Sequence, residues 1–339
     1  MIPAKSSSDV TPGSSGASVR RGRRVVELAL TVAVAAIVLA ITLHFVDMRQ
    51  VIDGLRKIGV AVALFAAGLL LAQVVLCALR WMLITRLMPG PLPFGEALRG
   101  YLEAAFVNAF LPSLIVSDGT RMVRAMANGA RPTHAFAGVA TDRLIALCAL
   151  AIASASGLFL LPDASRHPLI VLALIGLLPA FVAGLVVLDV TARSFARFAR
   201  FRLVRPFLEL ASLMGRLRKM PGLTALVLAI SLLGHALSAG AFYILALQLE
   251  LPIGYWAMFA LSAPIIVYSA VPVTVGGWGV REALSAALFG LIGIAPASGV
   301  ALSIAFGLLM SAVGLFCGGI ALAASLHSRA LALRKAPQS

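Results

Sequence analysis

Residues 270–283 read AVPVTVGGWGVREA. An apolar run is cut here by Pro272 and by Gly276, Gly277 and Gly279, and Arg281 and Glu282 follow at once. In hydrocarbon, backbone that leaves the helix is tolerated only where protein buries it or where it lines a wet cavity. Whether the chain is a plain bundle of spans or a bundle built around broken helices therefore turns on this stretch.

The surroundings indicate a membrane. Of 339 residues, 61% are hydrophobic and 12% charged, and the mean hydropathy is +1.01. A soluble domain carries about 25% charged residues. Six continuous apolar runs, about 25–46, 58–79, 133–161, 168–190, 223–247 and 298–326, are each long enough to cross about 30 Å of hydrocarbon. Two further apolar regions are interrupted. Region 94–131 breaks at Pro112 and at Asp118–Gly119, and region 255–293 breaks at Pro264, Pro272 and the glycine cluster.

The net charge is +15, but the basic residues sit in short segments between apolar runs rather than on a soluble domain. That pattern argues against nucleic-acid binding and orients the chain by the positive-inside rule. Arg20, Arg21, Arg23 and Arg24 mark the N-terminal segment. Arg193, Arg197, Arg200, Arg202, Arg205, Arg216, Arg218 and Lys219 mark the loop 191–222, and Arg329, Arg334 and Lys335 mark the C-terminal segment. All three are expected in the cytoplasm. Residues 1–24 are expected as a disordered basic cytoplasmic tail, 25–328 as the transmembrane domain and 329–339 as a second cytoplasmic tail. Arg193, Arg197 and Arg200, interleaved with Phe195, Phe198 and Phe201, suit a helix lying on the inner leaflet; a plain positive loop is the alternative.

With six crossings, each interrupted region must cross an even number of times. The expected fold is therefore all-α: a polytopic helical membrane protein with about six full spans plus two broken-helix hairpins. Region 94–131 would dip in from the cytoplasm and 255–293 from the far side. Two short paired helices in each region satisfy the same sidedness, and both forms stay open.

Charges inside such a domain cost about 2.5–3.5 kcal/mol each and tend to face an interior and pair. In AFVNAFLPSLIVSDGTRMVRAM (105–126), Asn108 precedes Pro112, and Asp118, Arg121 and Arg124 follow at steps of three. A helix beginning near Ser117 would stack them on one face, with Ser117 or Asp118 as its cap and an anion site at its N-terminus. Boundary charges beside a simple cap are the alternative. In the third run, Asp142 is placed to pair with an arginine of this cluster, leaving Arg143 for a substrate or a head group; a purely structural interhelical bridge is the alternative. Glu282 suits the positive end of a helix that begins after Gly279, and Arg281 suits a phosphate or an Arg–Glu pair that only holds the turn. Arg80 and Trp81, at the end of the second run, are expected as interfacial anchors.

No catalytic set, no metal spacing and no Walker A loop is found. Cys77, Cys148 and Cys317 all lie in apolar runs and are expected as buried thiols. Neither a cofactor nor a metal is expected.

The motifs LRWMLI (79–84), FVNAFLPSLIVSDGTRMVR (106–124), ATDRL (140–144) and VPVTVGGWGVREA (271–283) occur in an order and spacing that resembles the flippase-like membrane region of lysylphosphatidylglycerol synthases. Val116 and Ser117 stand where that family usually has two glycines, whereas Asp118 and Arg121 keep their places. The soluble aminoacyl-transferase domain of the full synthases has no counterpart, so lysyl transfer is not expected. The resemblance implies translocation or handling of a polar or charged lipid in the bacterial inner membrane, with phospholipid or glycolipid head groups as partners. Lipid contacts are expected from Asn108, Asp118, Arg121, Arg124, Asp142, Arg143, Arg281 and Glu282, with Arg121, Arg143 and Arg281 on the lipid phosphate and Asp118, Asp142 and Glu282 orienting them or receiving a cationic head group. Pro112, Gly119, Pro272, Gly276, Gly277 and Gly279 would shape the hairpins. A membrane-embedded enzyme or accessory subunit of glycolipid, hopanoid or polyprenyl-linked lipid synthesis is the rival function. A lipid-biosynthetic enzyme and a second copy of the chain are the candidate protein partners.

Overall fold

The computed structural model describes residues 48–110, 114–160, 168–195, 201, 204–269 and 279–335. The first expected span, the N-terminal tail, Pro112, Pro272, Gly276 and Gly277 lie outside them, as do residues 196–200 of the expected surface helix. The described residues form helices and no strand: α1 Met48–Arg56, α2 Val60–Thr85, α3 Phe94–Phe110, α4 Leu114–Ala127, α5 Pro132–Leu160, α6 Pro168–Ile175, α7 Leu177–Phe195, α8 Arg205–Arg218, α9 Pro221–Gln248, α10 Tyr255–Ser269, α11 Val280–Leu291 and α12 Pro296–Lys335.

Among the described residues, five apolar stretches are long enough to cross a membrane: α2, most of α5, α6 with α7, α9 and residues 296–326 of α12. They match the expected runs apart from the ends, except that the fourth run is interrupted at Gly176. The two broken regions are both pairs of short helices. At 1.5 Å per residue, α3, α4, α10 and α11 are about 25, 21, 22 and 18 Å long, less than the roughly 30 Å of a full span.

Three expectations about the breaks are corrected. Asp118 and Gly119 lie inside α4, so the helix is not broken there. Neither Ser117 nor Asp118 caps that helix, because it begins three residues before Ser117. Pro264 lies inside α10. The backbone bond it forfeits is tolerated because α10 packs against α5 and α9, and Ala263 and Ile265 on either side are fully buried.

The hairpins straddle two hub helices. α3 packs on α12 while its partner α4 packs on α5; α11 packs on α12 while its partner α10 packs on α5. α2 and α9 run together and touch both hubs. An apolar core around α12 includes Phe242 stacked on Phe306, with ring centroids 3.7 Å apart. A second core around α5 gathers Trp81, Ile84, Leu213, Leu217 and Val227. It draws in α8, whose Leu210, Leu213 and Leu217 recur at helical spacing and are buried.

Candidate functional site

The opening stretch ends in a turn that only glycine adopts readily. Gly279 has φ +87°. Its N–H donates to Glu282 Oε2 at 2.6 Å, so the Glu282 carboxylate closes the first turn of α11. The other oxygen of Glu282 accepts from Arg281 Nη2 at 2.7 Å and from the Ser303 hydroxyl of α12 at 3.0 Å. Arg281 Nε donates to the same Ser303 oxygen at 3.0 Å. Glu282 is fully buried and Arg281 nearly so. Gly307 of α12 makes room for this pair, since a Cβ there would lie 2.1 Å from Arg281 Nη2.

Arg281 borders a partly open cavity of about 120 Å³ lined mainly by α2, α3 and α12. Its polar lining comes from Gln73, Asn108, Arg281 and Ser311; Leu70, Val74 and Val313 supply apolar wall. Gln73 lies midway along α2, and Ser311 midway along the apolar part of α12. The cavity thus sits at mid-length of two membrane-length helices, where transporters with broken helices hold their substrates. It is large enough for several waters or a small polar group.

The second feature is an ionic network. Asp142 of α5 is fully buried and accepts from Arg80 Nε at 2.7 Å, Arg121 Nη2 at 2.7 Å and the Tyr101 hydroxyl at 2.5 Å. Arg80 also donates to Ser231 Oγ of α9 at 3.0 Å. Arg121 is fully buried, its guanidinium carbon 4.2 Å from the Tyr101 ring centroid and 4.7 Å from that of Trp81. This cation–π packing partly replaces lost hydration. Asp118 bridges Arg121 at 3.3 Å and Arg143 at 2.9 Å, and Arg143 keeps 39% of its side chain exposed. Arg124 turns the other way, to Glu103 and Glu96 of α3.

Gln73 and Arg80 on α2, and Asn108 and Tyr101 on α3, are each seven residues apart. Seven residues rise about 10 Å and return to nearly the same helix face. The cavity and the network are therefore two polar layers, separated by about two helical turns.

The residues expected to act together divide between these layers. Asn108 and Arg281 border the cavity, with Glu282 behind Arg281. Asp118, Arg121, Asp142 and Arg143 form the network, and Arg124 joins α4 to α3. Asp142 does pair with an arginine of the first cluster. The anchor reading of Arg80 and Trp81 is corrected: Arg80 is 5% exposed and Trp81 is fully buried, because every residue from Arg80 to Thr85 lies inside the protein. Gln73, Arg80, Tyr101, Ser231, Ser303 and Ser311 are additions. Gln73 is a lone amide in a long apolar run, a signal the sequence does carry; the serines carry none, since serine is common in membrane helices.

His235 is buried, with its ring nitrogen 2.9 Å from the Phe259 carbonyl oxygen. The three cysteines are unpaired, and no His, Cys, Asp and Glu cluster suited to a metal exists among the described residues.

No curated protein compared with the chain matches it. The family of the lysylphosphatidylglycerol synthase transmembrane region matches residues 28–318, which take in both polar layers and both hairpins. The chain belongs to the lysylphosphatidylglycerol synthase transmembrane-region family.

Proposed function

We propose that this protein moves, or hands on, a lipid with a polar or charged head group between the leaflets of the bacterial inner membrane. The observation that carries the reading is the cavity bordered by Gln73, Asn108, Arg281 and Ser311 at mid-length of α2 and α12. Polar groups at that depth are costly unless they serve a pathway or a pair. Arg281 has Glu282 and Ser303 as partners, yet it also borders open volume. The family's membrane context agrees with lipid as the ligand. In this reading both termini are cytoplasmic, the network around Asp142 lies toward the cytoplasmic ends of α2 and α5, and acyl tails stay in the bilayer. The chain acts as a transporter and not as an enzyme.

The test is leaflet-resolved labelling of head groups in phosphatidylcholine vesicles that contain the purified chain. Asn108→Leu removes polarity while keeping the branching of the side chain. An Arg281→Gln, Glu282→Gln double variant removes both charges and leaves none unpaired. Transbilayer rates about tenfold below wild type in both, with melting close to wild type, are expected. Rates equal to wild type in both variants would sink the proposal.

A further inference from the structure

The two polar layers differ in charge, and the difference selects a ligand. The cavity layer is neutral: Arg281 is matched by Glu282, and the other polar lining is amide and hydroxyl. The network layer is not neutral. Arg80, Arg121 and Arg143 face only Asp118 and Asp142, leaving one positive charge over. The adjoining group adds nothing to that sum, because Arg99 and Arg124 are balanced by Glu96 and Glu103. Arg121, fully buried, also has an Nε–H with no partner among the described residues. A surplus charge on the half-buried Arg143, beside a buried donor without a partner, favours the arrival of an anion.

The carboxylates point the same way. Asp118, Asp142, Glu282, Glu96 and Glu103 each already accept from at least one arginine. A cationic head group would have to displace a guanidinium to find a counter-charge. An anion needs only the Arg143 edge, the exposed end of the network.

Resting on the lipid-handling reading above, we infer that the lipid is a phosphodiester with one net negative charge and an otherwise neutral, hydroxyl-bearing head group. The phosphate binds first at the exposed Arg143 end of the network, and the head group's hydroxyls are received by Gln73, Asn108 and Ser311 when it moves on to the cavity layer. A head group of net positive charge is rejected.

The experiment compares transbilayer rates in phosphatidylcholine vesicles holding the full chain and one of three probe lipids at equal content. These are phosphatidylglycerol, lysylphosphatidylglycerol and phosphatidic acid. Phosphatidylglycerol should move at least about tenfold faster than its lysyl ester, a difference of about 1.4 kcal/mol. Arg143→Gln brings the network to zero net charge and should lose that preference, while Arg143→Lys should keep it. Asp118→Asn adds a second surplus charge and should shift the preference toward phosphatidic acid. Equal rates for the two glycerol lipids, or a faster lysyl ester, overturn the charge inference but leave lipid handling intact. A preference that survives in Arg143→Gln overturns the assigned edge. Rates no faster than protein-free vesicles for every probe overturn the lipid reading itself, and the inference with it.

Discussion

Replacing Asp142 by Asn is the sharpest test of how this fold is held. The side chain keeps its shape but loses its charge. Asp142 is fully buried and is the acceptor for two guanidinium groups at 2.7 Å and for the Tyr101 hydroxyl at 2.5 Å. Arg80 would be left with Ser231 and Tyr101, both neutral, and Arg121 with Asp118 at 3.3 Å. Removing one partner of a buried ion pair costs about 3–5 kcal/mol. Here one change strands two cations, so the upper end of that range is expected, a shift in the unfolding equilibrium of roughly three to four orders of magnitude. The assay is reversible unfolding in mixed micelles, followed by far-ultraviolet circular dichroism. A double-mutant cycle with Arg80→Gln gives the pair's own share. With Arg80 neutral, the loss of Asp142 strands one cation fewer, so the two changes together should cost less than their sum by about 1–3 kcal/mol. Additive effects, or a midpoint for Asp142→Asn within 0.5 kcal/mol of wild type on the scale of an ordinary surface change, would refute the claim that this network braces α2, α4 and α5.

Three further outcomes follow from single positions. Gly279→Ala forces an L side chain to φ +87° and should destabilise by about 1–2 kcal/mol, read from the same unfolding midpoints. Gly307→Ala puts a methyl where the Arg281 guanidinium lies, 2.1 Å from Nη2; displacing it leaves the buried Glu282 without its partner, so the change should lower stability by about 3–5 kcal/mol, read from the same unfolding midpoints, as well as slow lipid movement. Lys57→Ala breaks the exposed pair with Glu250 at 3.1 Å and should change stability by less than about 1 kcal/mol, which makes it the control for the buried pairs.

Much of the fold was legible from hydropathy because length in a bilayer is a hard constraint. Each described run of about 20 apolar residues became helix. Where the reading failed, it failed for local reasons. Asp118–Gly119 looks like a break, yet helix propensity is a weak prior beside the interhelical pairs of Asp118 and Arg121. Pro264 looks like a break, yet α10 continues through it, packed against α5 and α9. Arg80-Trp81 at the end of an apolar run looks like an interface anchor, because hydropathy ranks position along a helix and is blind to which face is enclosed. Only the neighbouring helices reveal that α2 turns from an exposed first half to a wholly buried end. The charged members of the site were legible, since ionisable residues in a span are rare and conspicuous. Their division into two layers was not, because it depends on which helices meet at Ser303, Gly307 and Ser231.

That division changes what the arginines are for. A single cluster of three would form a generic phosphate trap. In the proposed lipid-handling reading, two layers about 10 Å apart, one neutral and one carrying a surplus positive charge, would form a graded path instead. The surplus lies with Arg143 at the exposed edge and the neutral, small-volume lining lies at mid-depth. On that proposal an anion would be drawn to the edge by charge, then meet at the cavity only hydrogen-bonding groups that hold it weakly enough to be released. Strong binding at mid-depth would stall a carrier, for the same reason that conduction requires sites weak enough to leave. On this argument, Glu282 is more than a cap. By matching Arg281 it lowers the affinity of the midpoint, and neutralising Glu282 alone should trap the lipid rather than expel it: more lipid copurifies with a Glu282→Gln variant while its transbilayer rate falls.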